Sequence, residues 1–153
     1  MKTMKKPGFL TILFTAGILV FNACNKDADI DTEAPVIAIA SPDDDQHFHP
    51  GETIHFEATF TDDVALSQFK IDIHHGGEHT HKSAFSEEVE WSFEHIGDLS
   101  GREQVVKMDI EIPEHAEHGK YHFLVFCTDL TGNESWVGVD VFIEEEEHHD
   151  DHD

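Results

Sequence analysis

The sequence predicts an all-β protein, an immunoglobulin-like β-sandwich of about seven strands, and three observations lead there. From Pro35 onward, apolar residues alternate with polar ones at a period of two, the spacing of strands with one buried face. Gly, Pro, Asp and Asn interrupt that alternation at short intervals, as turns require. The period of about 3.6 residues that marks an amphipathic helix is absent.

Each strand can be justified in order. Ile37 and Ile39 point one way in the first. Pro50-Gly51 marks a turn, after which Ile54, Phe56, Ala58 and Phe60 alternate with His55, Glu57 and Thr59 in the second. The third sets Phe69, Ile71 and Ile73 against Lys70, Asp72 and His74. Val89, Trp91 and Phe93 make the fourth, and Val106, Met108, Ile110 and Ile112 the fifth, which ends at Pro113. Tyr121, Phe123, Val125 and Cys127 point inward in the sixth, as do Val137, Val139, Val141 and Ile143 in the seventh. Gly119-Lys120-Tyr121 resembles the tyrosine corner of such sandwiches, whose hydroxyl bonds back to the preceding connection. Cys127 reads as a small buried hydrophobe, because the second strand offers it no partner cysteine.

The flanks have a different character. Lys2, Lys5 and Lys6 precede an apolar stretch, Phe9 to Phe21, that is shorter than a membrane-spanning helix, so residues 1–23 read as an export signal. Ala23 and Cys24 stand where a bacterial lipoprotein signal places its cleavage point and acylated cysteine. Phe21 and Asn22 replace the Leu and small residue usual just before them. Residues 24–33 have no periodicity and form a solvated tether, residues 34–143 the sandwich, and residues 144–153 a disordered tail of Glu, Asp and His.

The chain carries 9 Lys and Arg against 33 Asp and Glu, a net charge of −24. Loss of residues 1–23 removes three lysines and takes the charge to −27. A field of that sign repels nucleic acid and anionic lipid and gathers cations. Membrane attachment is therefore expected through the lipid on Cys24 alone. With Cys24 acylated, only Cys127 remains, so no disulfide is expected.

Several segments, Thr61-Asp62-Asp63-Val64-Ala65-Leu66, Lys70-Ile71-Asp72-Ile73-His74, the glycine-containing His-Thr-His stretch and Thr128-Asp129-Leu130-Thr131-Gly132-Asn133, resemble an uncharacterised Ig-like domain family of Bacteroidetes-type surface lipoproteins. The resemblance spans about Ala34 to Ile143. It implies the sandwich and an outer-membrane, surface address, which the partial Lys26-Asp27 match to an export motif of such lipoproteins also favours. It implies little about activity, since that family has no known function.

Fourteen histidines are the strongest chemical signal, several of them within His74-His75-Gly76-Gly77-Glu78-His79-Thr80-His81. If Gly76-Gly77 is a two-residue hairpin turn, His74 faces His79 and Asp72 faces His81 across the ladder. Asp72, His74, His79 and His81 then share one face, with opposed β-carbons about 5 Å apart. Three imidazoles and a carboxylate at that spacing suit a tetrahedral ion, zinc, with copper(II) a close rival. His122, outward on the neighbouring sixth strand, adds a fifth group that completes or orients the shell. A polar, solvated hairpin is the competing reading of the same residues, since a one-residue register slip scatters them.

The remaining candidates are weaker. The tail's His148, His149 and His152 can only collect cations loosely. Asp62 and Asp63, and Asp129, Asn133 and Glu134, are oxygen-rich calcium candidates, though Asp, Gly and Asn also build turns unaided. His47, His49, His115 and His118 read as surface residues. Trp91, Phe93 and Trp136 read as core more readily than as a ligand groove. No nucleophile elbow, phosphate loop or helical zinc-protease motif occurs, so no enzyme is expected.

The function expected is therefore a lipid-anchored, surface-exposed protein that captures zinc or copper and passes it to an outer-membrane transporter or buffers it outside the cell. The alternative is a non-catalytic Ig-like accessory or adhesion module that binds a protein or glycan, with the histidines incidental.

Overall fold

The structure is a computed structural model, and it describes residues 30–77 and 88–144. Eight strands follow one another: β1 (Val36–Ser41), β2 (Gln46–Phe48), β3 (Thr53–Thr61), β4 (Leu66–His75), β5 (Phe93–Asp98), β6 (Glu103–Glu111), β7 (Gly119–Asp129) and β8 (Glu134–Ile143). They form two sheets, ordered β1-β3-β6 and β2-β8-β7-β4-β5. The first, second and fifth expected strands thus form one sheet, and the third, sixth and seventh lie together in the other. No helix occurs among the described residues.

The alternation seen in the sequence decides which face each sheet buries. β7 sends Tyr121, Phe123, Val125 and Cys127 into the core, where all four are fully buried. Phe56 of β3 stacks on Phe123 with ring centroids 5.6 Å apart, and Phe60 meets Phe69 at 5.5 Å, so aromatic pairs join the two sheets. Each such ring, once buried, contributes about 1.5–3 kcal/mol. The tyrosine corner is present: the Tyr121 hydroxyl donates to the Glu117 carbonyl at 2.7 Å. Burial pushes its pKa up to about 12, which keeps the hydroxyl a donor. Cys127 is a free, buried thiol, as expected.

Two strands differ from the sequence expectation. β2 is new; it pairs parallel with β8, and with only three residues it is too short to display a period. The fourth expected strand, at Val89 to Phe93, begins only at Phe93 and continues to Asp98. Val89 makes one isolated bridge to Ala116 and is 58% exposed. The inward row of β5 is Phe93, His95 and Gly97. Gly97 is required because the Phe69 ring occupies its side-chain space, with Cζ 2.6 Å from where a β-carbon would stand. An imidazole and a glycine at inward positions conceal the period.

The expected hairpin ladder is also corrected. β4 is an internal strand: Asp72 opposes Leu124 of β7 on one edge and Glu94 of β5 on the other. The ladder partners of Asp72 are therefore Leu124 and Glu94, and the expected partner, His81, lies outside the described residues. The expected neighbour relation between the strands carrying His74 and His122 does hold, with β4 and β7 antiparallel.

Candidate metal centre

The outward face of the five-stranded sheet assembles the site. Antiparallel registry opposes His74 of β4 to His122 of β7, and His122 in turn to Asp140 of β8. The two imidazole centroids lie 5.6 Å apart, with the rings inclined at 66°. Two imidazoles bound through nitrogen to one tetrahedral zinc place their centroids about 5 Å apart, given bonds of about 2.0–2.1 Å. The side chains are 45% and 39% exposed, so an ion can reach them from solvent.

Each imidazole is held by a carboxylate through the same nitrogen. His74 Nδ1 lies 3.0 Å from Asp72 Oδ1, and His122 Nδ1 lies 2.7 Å from Asp140 Oδ1. An ionised carboxylate only accepts, so Nδ1 carries the proton, and in the neutral ring Nε2 keeps its lone pair. Carboxylate-oriented histidines of this kind are the common form of zinc ligand. The second oxygen of each aspartate is taken by a lysine: Lys70 Nζ at 2.9 Å from Asp72 Oδ2, and Lys120 Nζ at 2.5 Å from Asp140 Oδ2. Two Lys–Asp–His relays therefore stand side by side.

The electrostatics follow from these contacts. The hydrogen bond from Lys70 holds the Asp72 carboxyl below the usual range, against a desolvation penalty, with His74 helping. Lys120, then His122, lowers that of Asp140. Such partly exposed ion pairs contribute only about 0–1 kcal/mol to stability. Their effect is to keep both carboxylates ionised and both rings oriented. Excess negative charge remains nearby, because Lys70 also pairs with Glu94 at 3.2 Å, and Asp44 and Asp45 act on Lys120. A cation approaching the imidazoles is attracted.

The sequence candidates fall as follows. Asp72, His74 and His122 come together on one face. Asp72 serves as the orienting partner of His74, with both oxygens engaged, which differs from the ligand role expected for it. His79 and His81 lie outside the described residues, as do Cys24, His148, His149 and His152. The main chain at Gly76 closes on the open nitrogen of His122: a β-carbon there would stand 2.8 Å from Nε2. His75 faces away and lies edge-on to Tyr121 at 5.1 Å, with Gly77 N donating to its Nδ1.

Other carboxylate-bound histidines occur singly: His47 on Glu144, His55 on Asp109 and His118 on Glu88. Among the described residues, groups of three potential ligand atoms within 4.8 Å arise at Asp31, Asp62 and Asp63 and at Asp44, Asp45 and Asp140. Neither contains an imidazole, so the His74–His122 pair supplies two ligands and not a closed shell. Asp129 is a turn-builder: five donors from Thr131, Gly132 and Asn133 saturate its oxygens, the closest at 2.6 Å. His49 approaches the Glu144 carbonyl, and Trp91 packs on Tyr121, so neither joins the site.

Sequence reasoning missed Asp140, Lys70 and Lys120. The first was within reach: the β7–β8 turn pairs Thr128 with Glu134, and counting back six residues on each side brings His122 opposite Asp140.

Fold and site together define an all-β sandwich whose broad outer sheet displays an oriented imidazole pair. The chain belongs to the family described as a domain of unknown function (DUF4625), which matches residues 22–144. Among solved structures it is similar to the crystal structure of Spo0M, a sporulation control protein from Bacillus subtilis, at 8% identity and a TM-score of 0.44. That likeness covers 73% of this chain and 49% of the other, so the chain spans about half the length of the structure it matches. No curated protein matches.

Proposed function

We propose that this protein is a lipid-anchored, surface-exposed metal-capture module without catalytic activity, which binds zinc or copper through His74 and His122. His79 and His81 supply the further ligands, and Asp72 and Asp140 orient the imidazoles of His74 and His122. The supporting observation is the cross-strand pair itself: two neighbouring rings, both fixed at Nδ1 by an ionised aspartate. The acidic surface and tail raise the local cation concentration, and the ion passes to an outer-membrane transporter or is buffered outside the cell.

Calorimetric titration of the untagged chain with zinc and with copper(II) tests this. The reading requires stoichiometric binding at micromolar or tighter affinity that survives deletion of residues 145–153 and is lost in the double variant His74→Ala, His122→Ala. Metal competes with protons for imidazole, so affinity falls as pH drops from 7.5 toward about 5. Binding that ignores pH across that interval contradicts histidine ligation.

A second reading has one observation in its favour. On the same face Trp136 is 62% exposed beside Phe126, and a groove of about 490 Å³ runs between Trp136, Leu124, His122 and Asp140. An aromatic wall beside carboxylates suits a glycan or peptide, and a Trp136→Ala variant that abolishes retention on such a ligand, with metal binding intact, would support it.

A further inference from the structure

A different cluster lies at the end of the sandwich where the N-terminal segment arrives. Asp31 comes to the β3–β4 turn, and one carboxylate oxygen each from Asp31, Asp62 and Asp63 lies within 4.8 Å of the others. Asp62 Oδ1 is satisfied, accepting from Val64 N at 2.9 Å and Ala65 N at 2.6 Å, and Asp31 Oδ1 accepts from Glu33 N at 3.0 Å. The other oxygens are not. Asp31 Oδ2 and Asp62 Oδ2 each expose less than 1 Å² and receive no hydrogen bond from the described residues.

A buried acceptor without a donor is destabilising, and more so when it is charged. Two such oxygens on neighbouring carboxylates add mutual repulsion. Among the described residues, no ion pair with Lys or Arg reaches any of the three aspartates. The other acidic triad shows the contrast: in Asp44, Asp45 and Asp140, Lys120 supplies a cation, and no side-chain oxygen is both buried and unpartnered. At Asp129 five donors do the same work. Among the described residues, the Asp31 cluster has neither.

We infer that Asp31, Asp62 and Asp63 form a calcium site that ties the N-terminal segment to the end of the sandwich. An all-oxygen set selects a hard cation. Carboxylates drawn from two segments distant in sequence supply three oxygens of the adaptable shell of six to eight at about 2.3–2.6 Å that calcium takes, and magnesium demands a stricter octahedron. The exposed Asp63 leaves room for water ligands. Asp31 is already joined to the β7–β8 turn, its carbonyl accepting from Asn133 Nδ2 at 3.2 Å. A bound ion would therefore lock the incoming chain to two turns at once. The inference is independent of the imidazole pair.

The test is calcium chloride titrated into the full chain, followed by calorimetry and thermal unfolding, with EGTA as the reference. One calcium per chain is expected, with a midpoint rise of about 5–10 °C at calcium near one hundred times its Kd. Asp31→Asn and Asp62→Asn should abolish the rise and, in EGTA, be at least as stable as the parent, because the amide removes a buried like charge. Asp63→Asn, at an exposed position, should weaken calcium binding about tenfold, and it decides the matter if the other variants fail to fold. The His74→Ala, His122→Ala variant should keep the full calcium response, which separates this inference from the transition-metal reading. No calcium-dependent rise in the parent, an undiminished rise in Asp62→Asn, or unchanged affinity in Asp63→Asn overturns it.

Discussion

Gly76→Ala perturbs the proposed metal centre without removing a ligand or a charge. The new methyl would stand 2.8 Å from His122 Nε2, 2.9 Å from Cδ2 and 3.1 Å from Cε1. A relaxed contact needs about 3.5 Å, so the ring must retreat by about 0.7 Å. Zinc–nitrogen bonds tolerate about 0.2 Å. The ring cannot simply swing, because Asp140 holds Nδ1 at 2.7 Å. Disturbing an oriented ligand in this way weakens metal affinity about 10–100-fold, which is about 1.4–2.7 kcal/mol. Gly76 is not in the left-handed region, so alanine fits its backbone and the fold should stay within about 1 kcal/mol of the parent. Parallel zinc calorimetry and urea unfolding of parent and variant give both quantities. Parent-like zinc affinity in Gly76→Ala would refute the placement of His122 Nε2 at the ion.

Four further outcomes follow from the geometry. Tyr121→Phe removes the 2.7 Å corner bond and should cost about 1–2 kcal/mol in urea unfolding at an unchanged slope; no loss would mean the corner is not a stabilising contact. Gly97→Ala drives a methyl into the Phe69 ring and should cost about 1–3 kcal/mol, a figure that parent-like stability would contradict. Cys127, whose thiol is pushed up to about 12 by burial and then by Asp62 and Asp129, should resist a thiol reagent at pH 8 in the folded protein and react at once in denaturant, checked with Cys24→Ser present. Asp72 and Asp140 have folded-state pKa values below their unfolded ones, so their contribution is full above about pH 4 and is lost as pH falls through the lowered values. The stability difference between the parent and Asp72→Asn, Asp140→Asn should accordingly vanish under strong acid, and a difference that persists there would assign it to packing.

Much of the sandwich was legible because burial writes itself into alternation. β3, β4, β7 and β8 show it plainly, and Gly119-Lys120-Tyr121 marked the corner. β5 was misplaced where the inward row is Phe93, His95 and Gly97, a row chosen by the fit of the Phe69 ring and not by hydropathy. β2 escaped notice because its parallel pairing with β8 joins residues about 95 apart, and three residues set no period. The imidazole pair was half legible. Strand order brought His122 to His74, but local glycine pairing was allowed to decide the partner of Asp72, and a strand from further along the chain took that edge. Asp31 was read as tether because its role depends on a contact with a turn thirty residues away, which no local pattern records.

The most direct test of the central claim is zinc-edge X-ray absorption on the untagged chain loaded with one equivalent of zinc, beside the His74→Ala, His122→Ala variant. The account predicts a nitrogen-dominated shell at about 2.0 Å with the outer scattering of imidazole rings, and its loss in the variant. An oxygen-dominated shell, or a spectrum identical in parent and variant, would contradict it.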